Sequence, residues 1–190
     1  MKSGLTTVLD DTAKMFAGIE LLTRSRVMVG VPAEKADRRD EGKTGLTNAA
    51  LAYIHTNGAP EINLPPRPFL QPGIERAKND IEGGLKNAGQ FALAGNIAGV
   101  EKQLEAVGLL AVSSVRSVIV EGIPPPLAES TVERRIARRK SKKWRAERRA
   151  AVAANVAAGA APGAGLFIPL VDTSQLLKSI THVLWKVGKR

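Results

Sequence analysis

The chain contains no cysteine. Disulfides, zinc–thiolate centres and thiol chemistry are therefore excluded, and nothing points to an oxidising compartment. Two histidines, His55 and His182, lie far apart in the sequence, too few for a histidine-built metal site. Seven aromatic residues among 190 leave little for the stacking platforms that single-stranded nucleic acid needs. No run of 18 apolar residues occurs, so no membrane partner is expected. Asp10, Asp11 and Lys14 break up the apolar residues of the first 22 positions, so no secretory leader is expected there. A chain of this length suits one domain and can bury roughly 70% of its unfolded surface.

What the sequence does have is positive charge, and most of it in one place. The net charge is +10, from 28 basic and 18 acidic residues. Ten of the basic residues fall between Glu133 and Arg149: Arg134, Arg135, Arg138, Arg139, Lys140, Lys142, Lys143, Arg145, Arg148 and Arg149. Only Glu133 and Glu147 oppose them, which leaves this stretch at +8 and the other 173 residues at +2. The chain is thus near-neutral apart from one concentrated cationic segment.

Periodicity outlines the elements. Leu5, Val8, Leu9, Phe16, Ile19 and Leu22 predict a first helix, with Ser3 or Thr6 as its cap. Arg26 to Pro32 is short, β-branched and closed by proline, and predicts a strand followed by a surface loop over Ala33–Gly45. Thr47 caps a short helix that stops at Asn57-Gly58. Four prolines between Ala59 and Leu70 impose an extended path. Pro72 opens a helix running to about Ala94. Val100, Leu104, Val107, Ala111, Val115 and Val118 then form one apolar stripe, the second arm of a helical hairpin. Beyond Pro124-Pro125-Pro126, Ser130 or Thr131 caps a long basic helix, polar nearly all round with Trp144 exposed on it. It decays into a flexible Ala/Gly loop, since Ala146 to Ala164 holds ten alanines. Asp172 or Thr173 caps a short helix, and Thr181, Val183, Trp185 and Val187 alternate as the apolar face of a last strand. The expected fold class is α+β: a small antiparallel sheet of the two strands, packed by several helices.

No enzyme is expected, and no cofactor. Gly42-Lys43-Thr44 resembles the end of a phosphate-binding loop, but the glycine such a loop needs five positions earlier is Asp37. Ser113 and Ser114 lie mid-helix without a nucleophile elbow. His182 has no partner group fixed by spacing, and structural work is its plainer role. The basic helix carries three readings: contact with nucleic-acid phosphates, contact with an acidic neighbouring protein, or a solvated face.

Five strings in order resemble the tail-completion or neck proteins (virion morphogenesis, minor tail) of long-tailed bacteriophages and prophages. They are VMVGVPAEKADR (27–38), TNAALAYIHTNGAP (47–60), LPPRPFLQPGI (64–74), GIPPPLAEST (122–131) and PLVDTSQLLKSITHVL (169–184). The Pro-Arg-Pro-Phe and Asp-Thr-x-Gln-Leu-x-x-Ser-Ile strings are the most specific, and the family usually has glycine where this chain has Ser174. The resemblance implies one tail-completion-like domain over 1–190, with the basic helix and a variable insertion at about 129–165. It implies a structural subunit that forms a homo-oligomeric ring at the head–tail junction of the virion, assembled in the cytoplasm of the bacterial host. Its partners would be further copies of itself, the head connector or adaptor, the tail terminator or tail tube, and genomic DNA in the channel. Arg67 is the candidate inter-subunit contact. Phe69 is expected in the core, where single aromatics usually sit. The alternative is a non-specific nucleic-acid-binding or packaging accessory protein that uses the basic helix.

Overall fold

A computed structural model describes residues 11–35, 37 and 45–188. The fold is α+β, and the described residues form eight α-helices and one two-stranded antiparallel sheet. The helices are α1 (Thr12–Arg24), α2 (Asn48–Asn57), α3 (Leu70–Arg76), α4 (Lys78–Leu93), α5 (Ile97–Glu121), α6 (Glu129–Ala137), α7 (Lys142–Ala157) and α8 (Gln175–Ser179). The strands are β1 (Ser25–Gly30) and β2 (Thr181–Lys186). The chain forms two compact units: residues 1–29, 77–111 and 182–190, and residues 30–76 and 112–181. The proposed caps Ser3 and Thr6 and the Gly42-Lys43-Thr44 string lie outside the described residues.

In the first unit, Ala88, Ala92, Val100 and Leu104 form a buried cluster, with Ile19, Leu21, Leu22, Val27 and Leu184 packed on it. These residues join α1, α4, the start of α5 and both strands, as the predicted hairpin requires. Small residues let the helices close up. A Cβ on Gly18 would stand 2.7 Å from the Ala92 carbonyl oxygen, and one on Gly84 would strike Val107. Phe16, expected on the inner face of α1, points outward because Gly18 occupies that contact.

The strands pair as predicted, but β2 presents the opposite face. Trp185 is 62% exposed, with Val183 and Val187 also outside. His182 and Leu184 turn inward instead. Glu101 and Glu105, one turn apart on α5, explain this choice. Glu105 Oε2 meets His182 Nε2 at 2.6 Å, and Lys186 Nζ donates to Glu101 Oε1 at 2.7 Å. The His182 ring lies where Gly108 leaves room, since a Cβ there would collide with it.

In the second unit, α2 begins as its sequence predicts: the Thr47 hydroxyl accepts from Ala50 N at 3.1 Å. It ends at Gly58, whose φ of 76° suits a residue without a side chain. Asn48 is buried and donates to the carbonyls of Lys35 and Asp37. The proline-rich stretch is not uniformly extended, because Pro60–Ile62 makes one 3-10 turn closed by pairing between Ala59 and Leu64. Phe69 is fully buried, as expected. The helix predicted from Pro72 to about Ala94 is two helices, separated by a turn at Ala77. Helix α8 is capped at Ser174, one residue after Thr173 and two after Asp172, its predicted caps. Ser174 stands at the cap in the left-handed region with φ 59°, a conformation that glycine adopts without strain.

Helix α5 supplies residues to both units. By length and composition it is the one described helix that could cross a membrane. Its apolar stripe of Val100, Leu104, Val107, Ala111, Val112, Val115 and Ile119 is buried within the protein.

Candidate functional site

The cationic segment belongs to the second unit and is not one long helix. Helix α6 ends at Ala137, and α7 starts at Lys142 behind the cap Ser141, whose hydroxyl accepts from Trp144 N at 3.2 Å. The reason is packing. The α6 stripe of Val132 and Ile136 would continue into Arg139 and Lys143, which a core rejects. Breaking the chain lets α7 turn a second stripe, Trp144 and Val152, onto the same apolar cluster. Leu127, Leu166 and Phe167 complete it. Trp144 is therefore half-buried, contrary to the exposure expected of it. Helix α6 starts at Glu129, before either predicted cap, and no side chain caps it.

The Ala/Gly segment, expected to decay from helix into a flexible loop, stays helical to Ala157 and is then a succession of turns held by named contacts. Asn155 Nδ2 donates to the carbonyls of Pro162 and Ala164, and Leu166 and Phe167 anchor it in the apolar cluster.

The ten basic residues divide into two groups. Five work inside the fold. Arg135 is nearly buried, and its Nη1 donates to the carbonyls of Ile168 (3.0 Å) and Val171 (2.9 Å). Burial pushes its pKa down, Asp172 opposes that shift, and the neighbouring charges of Arg138 and Arg67 add to it. Arg138 pairs with Asp172, and Arg149 Nε with Glu133 Oε2 at 3.2 Å. The guanidinium groups of Arg139 and Arg148 lie over the Trp144 ring, 5.6 and 5.4 Å from its centre. The other five are Arg134, Lys140, Lys142, Lys143 and Arg145. Among the described residues only Lys143 has a carboxylate in range, Glu147 at 4.0 Å. Two lysines and no acid occupy the first turn of α7, so side-chain charge adds to the positive end of the helix dipole.

Arg67, expected at a subunit interface, is instead an internal residue, 5% exposed. Its Nε and Nη2 donate to Pro125 O at 3.2 and 2.9 Å, and Nη2 also to Pro126 O at 3.3 Å. Burial lowers its pKa. Beside it opens a cleft of about 480 Å³. Leu51, Pro65, Arg67, Leu127, Asp172 and Gln175 are among its lining residues. Four of the five strings singled out in the sequence thus meet on one surface: 47–60, 64–74, 122–131 and 169–184.

Sequence reasoning missed two members of this framework. Asp172, read as a helix cap, is the acid that Arg138 and Arg135 share. Arg116 Nη2 donates to Ile180 O at 2.7 Å. The Ser114 hydroxyl is spent on the Gly73 carbonyl at 2.7 Å. Among the described residues, no three His, Asp or Glu side chains come together as a metal would use them. Comparison of the chain with family models, curated proteins and solved structures gives no match.

Proposed function

We propose that this protein is a structural subunit of a ring at the head–tail junction of a long-tailed bacteriophage, joining head connector to tail around the DNA channel. The supporting observation is the convergence of four separated strings, each resembling the tail-completion family, on the single cleft beside Arg67. In this reading the Arg67 fork on Pro125 and Pro126 fixes the cleft's rim, so that Arg67 shapes the surface a neighbour meets without touching that neighbour. A ring also needs heterologous contacts that repeat through one rotation, and rigid segments keep that rotation constant.

The test is genetic. Deleting the reading frame from a phage or prophage that carries it should yield filled heads and complete tails that remain unjoined under negative-stain electron microscopy. Normal numbers of joined, infectious particles would overturn the proposal.

A further inference from the structure

We propose that Arg134, Lys140, Lys142, Lys143 and Arg145 form a contact for the phosphate backbone of a nucleic-acid duplex. This deepens the junction reading by naming the side chains that would meet a duplex, and its test depends on the cationic patch alone.

The internal contacts of the segment isolate this group. Arg135, Arg138 and Arg149 are spent on carbonyls and carboxylates, and Arg139 and Arg148 on Trp144. The five that remain lie within twelve residues, and no acid occurs between Arg134 and Arg145. Like charges this close repel one another, and at the start of α7 the helix dipole adds to the repulsion. Among the described residues only Glu147 is placed to offset any of this, at a distance where an exposed pair contributes little. A polyanion supplies what the fold does not.

The form of that polyanion follows from Trp144. Its ring is flanked by two guanidinium groups and its body packs in the apolar cluster. No described aromatic is thus left on the patch for unpaired bases to stack on, which single-strand binding relies on. What the patch offers is positive charge alone, suited to a duplex that presents a phosphate about every 1.7 Å of its axis. Binding of this kind is independent of sequence and steep in salt.

Fluorescence anisotropy of the full chain with a labelled random-sequence DNA duplex, at rising NaCl, tests the inference. Four or five phosphate contacts predict a slope of log K against log salt of about −4. Replacing Lys140, Lys142, Lys143 and Arg145 with Gln should flatten that slope by about 3.6 and weaken binding at least ~10-fold at low salt. A matched variant, with Lys78, Lys86, Lys102 and Lys178 replaced by Gln, removes the same charge and should keep the parent slope. If the first variant fails to melt cooperatively, Arg134→Gln with Lys140→Gln serves in its place, with a slope change of about 2. Four results overturn the inference: no duplex binding, equal loss in patch and matched variants, poly-glutamate binding as tightly as the duplex, or tighter binding of the single strand with quenched tryptophan fluorescence. Unjoined particles made by a protein that still binds duplex bear on the junction role only.

Discussion

In one unit of this protein, helices meet through residues that have almost no side chain; in the other, long cationic side chains reach across to hold coil segments in place. Gly18 lies against the Ala92 backbone and Gly84 against the Val107 side chain, so α1 closes on α4 main chain to main chain and α4 takes up the bulk of α5. The second unit has such approaches too, Gly73 on Val115 and Gly58 on the main chain of Leu64 and Pro66, and adds Arg67, Arg116 and Arg135, each donating to main-chain carbonyls. The difference teaches that a helical unit is closed by removing bulk, whereas a unit rich in proline and turns is closed by supplying donors to carbonyls that no ladder satisfies.

The comparison can be broken from either side. The largest effect is expected from Gly18→Val, which puts a branched side chain where even a Cβ stands 2.7 Å from a backbone oxygen. Overpacking against backbone that cannot yield should cost about 3 kcal/mol or more, seen as a large fall in Tm by circular dichroism. Next comes Arg67→Met, which fills the space but leaves the Pro125 and Pro126 carbonyls without their donor. A loss of about 2–3 kcal/mol in urea melts is expected. Arg67→Lys should recover less than half of it, because an ammonium has no planar fork to span two carbonyls. If Arg67→Met melts like the parent, the second unit is not held by arginine. The smallest effect belongs to Trp185→Ser on the outer face of β2, where a change within about 0.5 kcal/mol is expected. A large loss there would mean that the sheet is inverted.

Where the sequence sufficed, one periodic signal settled the matter. The stripe from Val100 to Val115 placed α5, Thr47 and Gly58 bounded α2, and the two short β-branched runs near the chain's ends did pair. The failures arose where a pattern had two solutions. Period-two alternation in β2 places Val183 and Trp185 on one side but does not say whether that side is the inner one. The decision came from Glu101 and Glu105, some 80 positions away, which draw Lys186 and His182 to the helix. Similarly, a count of charges does not distinguish a cation that stays in water from one that finds a carbonyl. The sequence therefore offers Arg67 and Arg135 as contacts for partners, although both are committed within the chain. Its run of basic residues predicts one continuous helix. Its break at 138–141 follows from the apolar cluster that Val132, Ile136, Trp144 and Val152 share.

The grip on carbonyls has a consequence for how such a surface changes over generations. Pro125, Pro126, Ile168 and Val171 are held by their main-chain oxygens, and every amino acid brings that same oxygen. Of the four, Pro125, Pro126 and Ile168 turn their side chains to the outside. The arginines therefore fix a path while leaving the letters along it open to drift. A segment anchored in this way can be rewritten residue by residue to suit a new neighbour without the fold being renegotiated each time.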